Sequence, residues 1–581
     1  MFRDHQLTVA YFSMEICLEP TMPTYSGGLG VLAGDTLRSA ADIGVRMVGI
    51  TLAHRRGYFT QHIDADGVQT ETPAEWRPED RLPAVPATVT IEIEGRPVKV
   101  RAWRYTIRGV TGHEVPVLLL DSALPENSEY DRQLTDSLYG GDSRYRLCQE
   151  VVLGVAGAMM VQAIGWGEAT QHHINEGHAA LLALPLLERQ LGTRAAFDLT
   201  DADVAAVARR CVFTTHTPVP AGHDRFPRPL AAAVLGAERV ALLDAVDAWE
   251  DEELNMTRLA LRCTRYVNGV ALRHQQVSQA MFPDAAINAV TNGVHAATWT
   301  APAFRALFDR RIPAWRRDNQ YLRSAVDIPL DEIEEAHAEA KQALLAEVTR
   351  RTSVTLDPAA FTLAFARRAT AYKRADLIFR DVERLRAIAQ RHGPVQLVFG
   401  GKAHPRDDGG RELIRRIHAA RAMLGADLRV VYVENYEMAL GALLTSGADV
   451  WLNNPMRPLE ASGTSGMKAA LNGVPSLSTL DGWWVEGCIE GITRWAVGSE
   501  VATVDAEATA RADASDLYHK LEHVVLPLYY AGTTGFAQLR RNAIAFNGSF
   551  FNTQRMVTQY VQNAYAPGSP VTAVAVEMAG A

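Results

Sequence analysis

Four segments gather side chains able to hold anions. Arg367-Arg368-Ala-Thr-Ala-Tyr372-Lys373-Arg374 follows the apolar run FTLAFA, and Gly401-Lys402 follows VQLVFG. The stretch Asn454 to Lys468, NPMRPLEASGTSGMK, follows VWLN, and Tyr25-Ser26-Gly27-Gly28-Leu29-Gly30 leads into a helical pattern near the N-terminus. Two of these segments are glycine-rich turns entering helices, where open backbone N–H groups and the positive end of the helix dipole favour an anion. For either turn alone, glycine's tolerance of tight turns is a sufficient account. Five cations at strand ends (Arg367, Arg368, Lys373, Lys402 and Lys468) move the balance to a phosphate-rich site, because guanidinium forks match phosphate oxygens and lysine adds a point charge. Lys468 falls one turn after Thr464. That spacing suits a Schiff base to pyridoxal phosphate with the phosphate at the helix start; a solvated helix lysine satisfies it equally.

The elements that must position these residues are βα units. In the second half, apolar runs at Phe361–Ala366, Val395–Gly400, Leu428–Val433, Val450–Asn453 and Pro475–Thr479 alternate with helical patterns. Ile378, Val382, Leu385 and Ile388 fall at helical spacing between the first two. Continuous apolar runs of this kind predict a buried parallel sheet, with ligands beyond the carboxyl ends of its strands. The first half predicts strands at Val9–Met14, Met47–Ala53, Ala169–Ile174, Cys211–Thr215 and Ile287–Val290, with a β-insertion at Thr88–Trp103. A helix is expected over Glu332–Arg350, and the boundary near 325–355. The expected fold class is therefore α/β, with two doubly wound Rossmann-like domains facing across a cleft. An N-terminal domain covers 1–330 and a C-terminal one 331–565, with a floppy tail at 566–581.

Composition sets the outer limits. The 581 residues allow two to four domains. Hydrophobic residues at 48% and charged residues at 22% are globular values that exclude a disordered or collagen-like chain. Lys+Arg 58 against Asp+Glu 67, a net charge of −9, argues against broad nucleic-acid binding. Five scattered cysteines with no CxxC pair fit a reducing compartment. With neither a signal peptide nor a membrane span read from the sequence, the expected protein is cytoplasmic. His172, His173 and His178, or His216 and His223, lack the HExxH or CxxC spacing of a metal site, and no metal is expected. Trp483-Trp484 suits stacking on sugar rings and core packing equally.

The runs YSGGLG (25–30), INEGHAALL (174–182), FTTHTPVPAGHDRF (213–226), VTNGVH (290–295), RRATAYKR (367–374), GGKAHP (400–405), EASGTSGMKAALNG (460–473) and LDGWWVEG (480–487), in this order, resemble the α-glucan phosphorylases. These are pyridoxal-phosphate enzymes of the glycosyltransferase-B type of fold. The resemblance implies that Lys468 forms the Schiff base, and that Gly463, Thr464 and Ser465, with Arg367, hold the cofactor phosphate. It assigns Arg368 and Lys373 to inorganic phosphate, with Gly27 and Gly28 in the turn whose N–H completes that site. Glu460 matches a sugar-hydroxyl ligand, Asn292 a glucose contact, and His216 the histidine facing the reacting sugar. Tyr372 and Tyr436 fall where tyrosines line the phosphate and cofactor region. Glu15 aligns with the family's acidic Y-x-S-x-E residue on the substrate side.

The implied partners are an α-1,4-glucan (maltodextrin or glycogen), orthophosphate and glucose 1-phosphate, with no nucleic acid or membrane, and a homodimer is expected from the family. GTSGMK for the familiar GTGNMK, LDGWW for LDGAN, Arg367 for lysine and Cys17 for a cofactor-side tyrosine resemble the divergent bacterial and archaeal branch. Two rival functions share the fold. One is a nucleotide-sugar glycosyltransferase, against which Lys468 in its GTSGMK setting argues. The other is a non-catalytic glucan- or cofactor-binding descendant.

Overall fold

A computed structural model of the chain describes residues 7–166, 171–424, 428–493, 495–499, 505–532 and 534–566. The tail expected at 566–581 lies outside the described residues except for Ala566. The chain forms a mixed α/β structure that divides into two compact units: 1–58, 73–291 and 556–581 in the first, and 59–72 with 292–555 in the second.

The first unit is built on a nine-stranded sheet. Its strands are β1 (Val9–Ser13), β2 (Met47–Leu52), β3 (Ala84–Ile93), β4 (Arg96–Arg108), β5 (Glu114–Asp121), β6 (Gln171–Asn175), β7 (Cys211–Thr214), β8 (Tyr266–Gly269) and β9 (Ile287–Ala289), in the spatial order β9-β8-β7-β6-β1-β2-β5-β4-β3. From β9 to β5 all neighbours are parallel; β4 and β3 add an antiparallel edge. The expected β-insertion is thus real but longer, because Thr88–Trp103 is the middle of a hairpin. Both sheet faces are covered, as a parallel sheet requires. Phe12, Ile50, Leu118, Ile174 and Phe213 fill one face, and Tyr11, Val117, Leu119 and Val212 the other, with Leu37 of helix α1 (Gly28–Ile43). The helical stretch Ser143–Trp166 is long and apolar enough to cross a membrane, yet 78% of its apolar window is buried inside the protein.

The second unit carries six parallel strands: β10 (Phe361–Ala366), β11 (Val395–Gly400), β12 (Leu428–Val433), β13 (Val450–Asn453), β14 (Ser476–Thr479) and β15 (Trp495–Val497). The spatial order β12-β11-β10-β13-β14-β15 is doubly wound, reversing direction between β10 and β13. The four strands β10 to β13 match the apolar runs residue for residue. Helix α2 (Leu330–Thr352) brackets the expected 332–350 and packs Leu344, Leu345 and Val348 on Ala364, Val398 and Trp451. The strands Tyr266–Gly269 and Trp495–Val497 were not expected; three or four residues are too few to make a periodic signal.

The division falls at 291/292 rather than within 325–355. Residues 292–330 join the second unit because they pack on α2 and its neighbours: Arg541 Nη1 donates to Ile328 O at 3.1 Å, and Asn472 Oδ1 accepts from Ala301 N at 2.6 Å. Two further segments cross the sequence-based division. The hairpin 60–63/69–72 belongs to the second unit, where Gln61 Nε2 donates to Gly401 O at 2.9 Å and Ile63 N to Glu434 Oε2 at 2.8 Å. Residues 556–565, expected in the C-terminal domain, return to the first unit. There Tyr560 OH lies 3.0 Å from Thr214 Oγ1, and Tyr565 OH lies 2.6 Å from His173 Nδ1.

One buried carboxylate ties α2 to the second sheet. Asp449 Oδ1 accepts from Arg540 Nη2 at 2.8 Å and His337 Nε2 at 3.0 Å, and Oδ2 from Lys341 Nζ at 2.6 Å and Thr362 N at 2.8 Å. Burial raises its pKa, but Lys341, His337 and Arg540 outweigh that and hold it well below the usual range. Removing one member of a buried charge network costs about 3–5 kcal/mol. Asp449→Ala is expected to lose that much in urea unfolding, since it leaves the buried Lys341 without a carboxylate and takes one of two from Arg540, which keeps Glu334 at 3.0 Å; a loss below about 1 kcal/mol would refute this role.

Candidate active site

Each sheet reverses winding order at one point, and in each unit the expected residues follow the strands there. In the second unit that point lies between β10 and β13. Arg367 follows β10 and its Nη1 donates to Asn453 Oδ1 at the end of β13. Its Nη2 donates to Glu460 Oε2 at 2.8 Å, and Lys373 Nζ reaches the same oxygen at 2.5 Å. Glu460 is in turn fixed through its backbone N–H, which donates to Asp481 Oδ2 at 2.9 Å. Lys373 Nζ also stands 4.4 Å over the Tyr372 ring. Arg368 is exposed at the same loop.

Burial lowers the Lys373 pKa to about 7, assisted by repulsion from Arg367 and Arg368 and opposed by Glu460. For Glu460, burial pushes the pKa up, but Arg367 and Lys373 hold it below the ordinary value. Arg367 and Lys373 share the one Glu460 carboxylate, an arrangement of cations that suits a second anion. Tyr372 is raised by burial and by Glu460, so it remains a neutral phenol.

The loop after β11 runs close against this one. Gly401 has φ +141°, and a Cβ there would come within 1.9 Å of Arg367 O, so only glycine fits. Lys402 does not join the cluster through any contact seen here. Its Nζ donates to Phe59 O at 2.8 Å, and burial lowers its pKa to about 8. After β12, Tyr436 lies against Gly400 and Gly441.

After β13 comes the turn into helix α3 (Ser465–Leu471), containing Gly463, Thr464 and Ser465. Trp451 Nε1 donates to Ser465 Oγ at 3.1 Å, and Lys468 N donates to Thr464 O at 3.2 Å. The buried Lys468 has Nζ 3.5 Å from the centroid of Trp299. The buried Ser462 hydroxyl in this turn has no partner among the described residues. Asn292 is buried with Oδ1 likewise unpartnered, while its carbonyl accepts from Arg555 Nη2 at 2.9 Å. Trp483 and Trp484 are fully buried, and Trp483 packs on Phe551 with centroids 4.6 Å apart, so core packing is their role.

In the first unit the reversal lies between β1 and β6. Glu15, Gly27 and Gly28 follow β1, Asn175 ends β6 and Glu176 follows it. His216 follows β7, donating from Nε2 to Asn175 Oδ1 at 2.7 Å and from its backbone N–H to Glu176 Oε2 at 2.8 Å. Burial lowers its pKa to about 4, against the pull of Glu176, so the ring is neutral at pH 7. Glu176 holds φ +71° and ψ +160°, a strained conformation for a non-glycine residue. The Gly27 N–H donates to Glu15 Oε2 at 3.1 Å.

Asn453 and Trp299 are site residues that sequence reasoning did not single out, and Asn175 and Glu176 lie in the INEGHAALL run without being assigned a role there. Trp299 carries no local signal at all.

Residues 223–527 match a family described as carbohydrate phosphorylase. The chain is 36% identical to the maltodextrin phosphorylase of Thermococcus litoralis over 96% of its own length and 70% of that protein's. It is 36% identical to the glycogen phosphorylase of Mycobacterium tuberculosis over 97% and 71%, and 33% identical to that of Aquifex aeolicus over 96% and 86%.

Proposed function

The chain belongs to the carbohydrate phosphorylase family, and we propose that Lys468, Arg367, Arg368, Lys373, Glu460, His216 and Gly28 carry its reaction. That reaction is the reversible phosphorolysis of terminal α-1,4-glucosidic bonds of maltodextrin or glycogen, releasing α-glucose 1-phosphate. The observation that supports this assignment of residues is the sharing of Glu460 by Arg367 and Lys373, with Arg368 exposed on the same loop, at the winding reversal of the second sheet. The doubly wound order in both units supports the glycosyltransferase-B type of fold.

Cleavage builds positive charge at the anomeric carbon and negative charge on the leaving oxygen. A hydrolase meets that with two carboxylates; here a bound phosphate does both, giving a proton to the leaving oxygen and then bonding the carbon. Arg368, Lys373 and the Gly28 N–H would hold orthophosphate by charge and direction. Glu460, shared by Arg367 and Lys373, competes with phosphate for those cations and is released toward sugar hydroxyls as phosphate binds. Asn292 and His216 would contact the glucosyl unit, and Tyr372, neutral beside the cations, is a donor to the same anion.

The residues present fit pyridoxal phosphate. A buried primary amine lies on an aromatic wall, an unpartnered buried hydroxyl lies in the adjoining turn, and a guanidinium is at hand. Lys468 would carry the cofactor covalently, with Gly463, Thr464, Ser465 and Arg367 about its phosphate and Tyr436 near the ring. The chemistry it supplies when bound is acid–base exchange at its phosphate rather than electron withdrawal through its ring. The family likeness supports a cytoplasmic homodimer acting on neutral glucans, and light scattering on the purified chain checks the assembly.

Arg368→Ala tests the phosphate site. Loss of a charge-assisted hydrogen bond, about 1.5–3 kcal/mol, predicts a roughly ten- to hundredfold rise in KM for phosphate with the maltodextrin KM little changed. Glucose 1-phosphate release measures both; an unchanged phosphate dependence would remove Arg368 from the site.

A further inference from the structure

Glu15 has no acceptor capacity left for a sugar hydroxyl. It is 2% exposed, and four donors reach its carboxylate. Oε2 accepts from Ser26 N at 2.5 Å and Gly27 N at 3.1 Å, Oε1 accepts from Tyr139 OH at 2.9 Å, and the Ser26 hydroxyl lies 3.2 Å from both oxygens. A carboxylate offers about four lone-pair sites. The fit is close: a Cβ on Gly30 would lie 2.7 Å from Oε2.

The phenol that completes this set is itself held. The Arg146 guanidinium lies 4.8 Å over the Tyr139 ring and pairs with Asp224 at 2.8 Å, in the loop that begins at His216. Burial raises the Tyr139 pKa, and the neighbouring Glu15 raises it further, so the phenol keeps its proton and donates. The next residue along the turn is different. Gly28 is exposed and is the first residue of α1, so the helix does not use its N–H. A Cβ at Gly28 would meet nothing within 4 Å.

We infer that Glu15 and Tyr139 are positioning residues: Glu15 is the resident anion of the glycine turn, Tyr139 ties it to the Arg146–Asp224 pair, and the turn thereby presents Gly28, not Gly27, to the substrate phosphate. This rests on the phosphorolytic reading above. It gives the two neighbouring glycines different roles. Gly27 closes the turn on an internal carboxylate, and Gly28 alone keeps a donor for phosphate.

Substitutions separate this from sugar binding. In Glu15→Gln the side-chain oxygen can still accept from Ser26 and Gly27. The amide N–H groups donate to the Tyr139 and Ser26 hydroxyls, which accept in turn. Glu15→Ala instead strands all the donors, and Tyr139→Phe removes one of them. The holoenzyme variants are compared in maltodextrin phosphorolysis by KM for phosphate, KM for maltodextrin and kcat, with thermal melting and the cofactor absorption band recorded for each.

Glu15→Ala is expected to raise the phosphate KM by about tenfold or more, Tyr139→Phe by about three- to tenfold, and Glu15→Gln by less than about threefold. The maltodextrin KM should stay within about threefold in all three. A maltodextrin KM that rises in both Glu15 variants would make Glu15 a sugar ligand and overturn the inference. A phosphate KM that is unchanged or lower in Glu15→Ala would overturn it too. Should Glu15→Ala fail to fold, Tyr139→Phe carries the same test. Absence of phosphorolysis in the unmodified protein would instead overturn the phosphorylase assignment itself.

Discussion

Lys468→Ala is expected to lose both the near-ultraviolet and visible absorption of bound pyridoxal and all measurable glucose 1-phosphate release, with the fold intact. The amine it removes is buried at the start of α3, 3.5 Å from the Trp299 ring centroid. No other primary amine substitutes for it in this unit's site. Lys373 is committed to Glu460 at 2.5 Å, Lys402 donates to Phe59 O, and the remaining cations there are guanidiniums, which do not condense with an aldehyde at neutral pH. Acid–base catalysis by a positioned group is worth about 10²–10⁴-fold, so activity should fall by at least that factor. Lys468→Arg separates chemistry from charge. It keeps the cation on Trp299 but has no amine, and it should be as inactive as the alanine variant. Activity retained in the arginine variant would mean that the residue acts through charge alone. Circular dichroism that matches the parent protein excludes unfolding as the cause.

What the sequence revealed of this site and what it hid have one physical root. Residues that follow long apolar strands were legible, because a run such as FTLAFA ends at a definite residue and the next one must leave the sheet. That located Arg367, Arg368, Lys373 and the Gly463–Lys468 turn, and Lys402 with them. Proximity in sequence pattern, however, does not state which partner a side chain chooses. Lys402 sits at the end of its strand as expected yet is claimed by Phe59, from a hairpin more than three hundred residues away in the chain. The resemblance puts Glu15 and Gly27 side by side on the substrate side without stating that the Gly27 N–H donates to the Glu15 carboxylate. The boundary was misplaced for a similar reason. The helix at 330–352 has a strong period, but the preceding segment is bound to the second unit by contacts such as Asn472 to Ala301 N, which leave no trace in composition. Strands of three or four residues and chain segments that return to the other unit, as 556–565 does, are set by packing against distant residues.

The protein should also be unusually sensitive to mild acid, and the first unit should fail first. His172 and His173 are held at about pKa 3, and His54, His178, His216, His274 and His337 at about 4, each chiefly by burial. Their unfolded value is near 6.5. Between pH 6.5 and about 4 the unfolded chain therefore binds protons that the folded chain refuses, and stability falls as pH falls. Lowering a histidine from 6.5 to about 4 or 3 corresponds to roughly 3–5 kcal/mol per group before relaxation. The seven groups act in the same direction, so even a fraction of this per group is large beside the ~5–15 kcal/mol that holds a typical domain. Glu150 and Asp136, raised by burial, take up protons in the folded state and oppose this, but burial also lowers His223 and His418, so the histidines outnumber them. Thermal melting followed from pH 7.5 to 4.5 should show a midpoint falling steeply below pH 6.5. Hydrogen exchange should lose protection first in β1, β6 and β7, since all but His337 of the seven belong to the first unit. His172 offers the sharpest check: its Nδ1 has no partner among the described residues and its ring stacks on Phe12 at 6.3 Å. His172→Phe gives up the ring's hydrogen bond to the Arg210 backbone along with the titrating group, so the melting temperature of the variant should fall less between pH 7.5 and pH 5 than that of the parent. A midpoint that stays flat between pH 7 and 5 would mean that these histidines charge inside the fold, and the burial argument would fail with it.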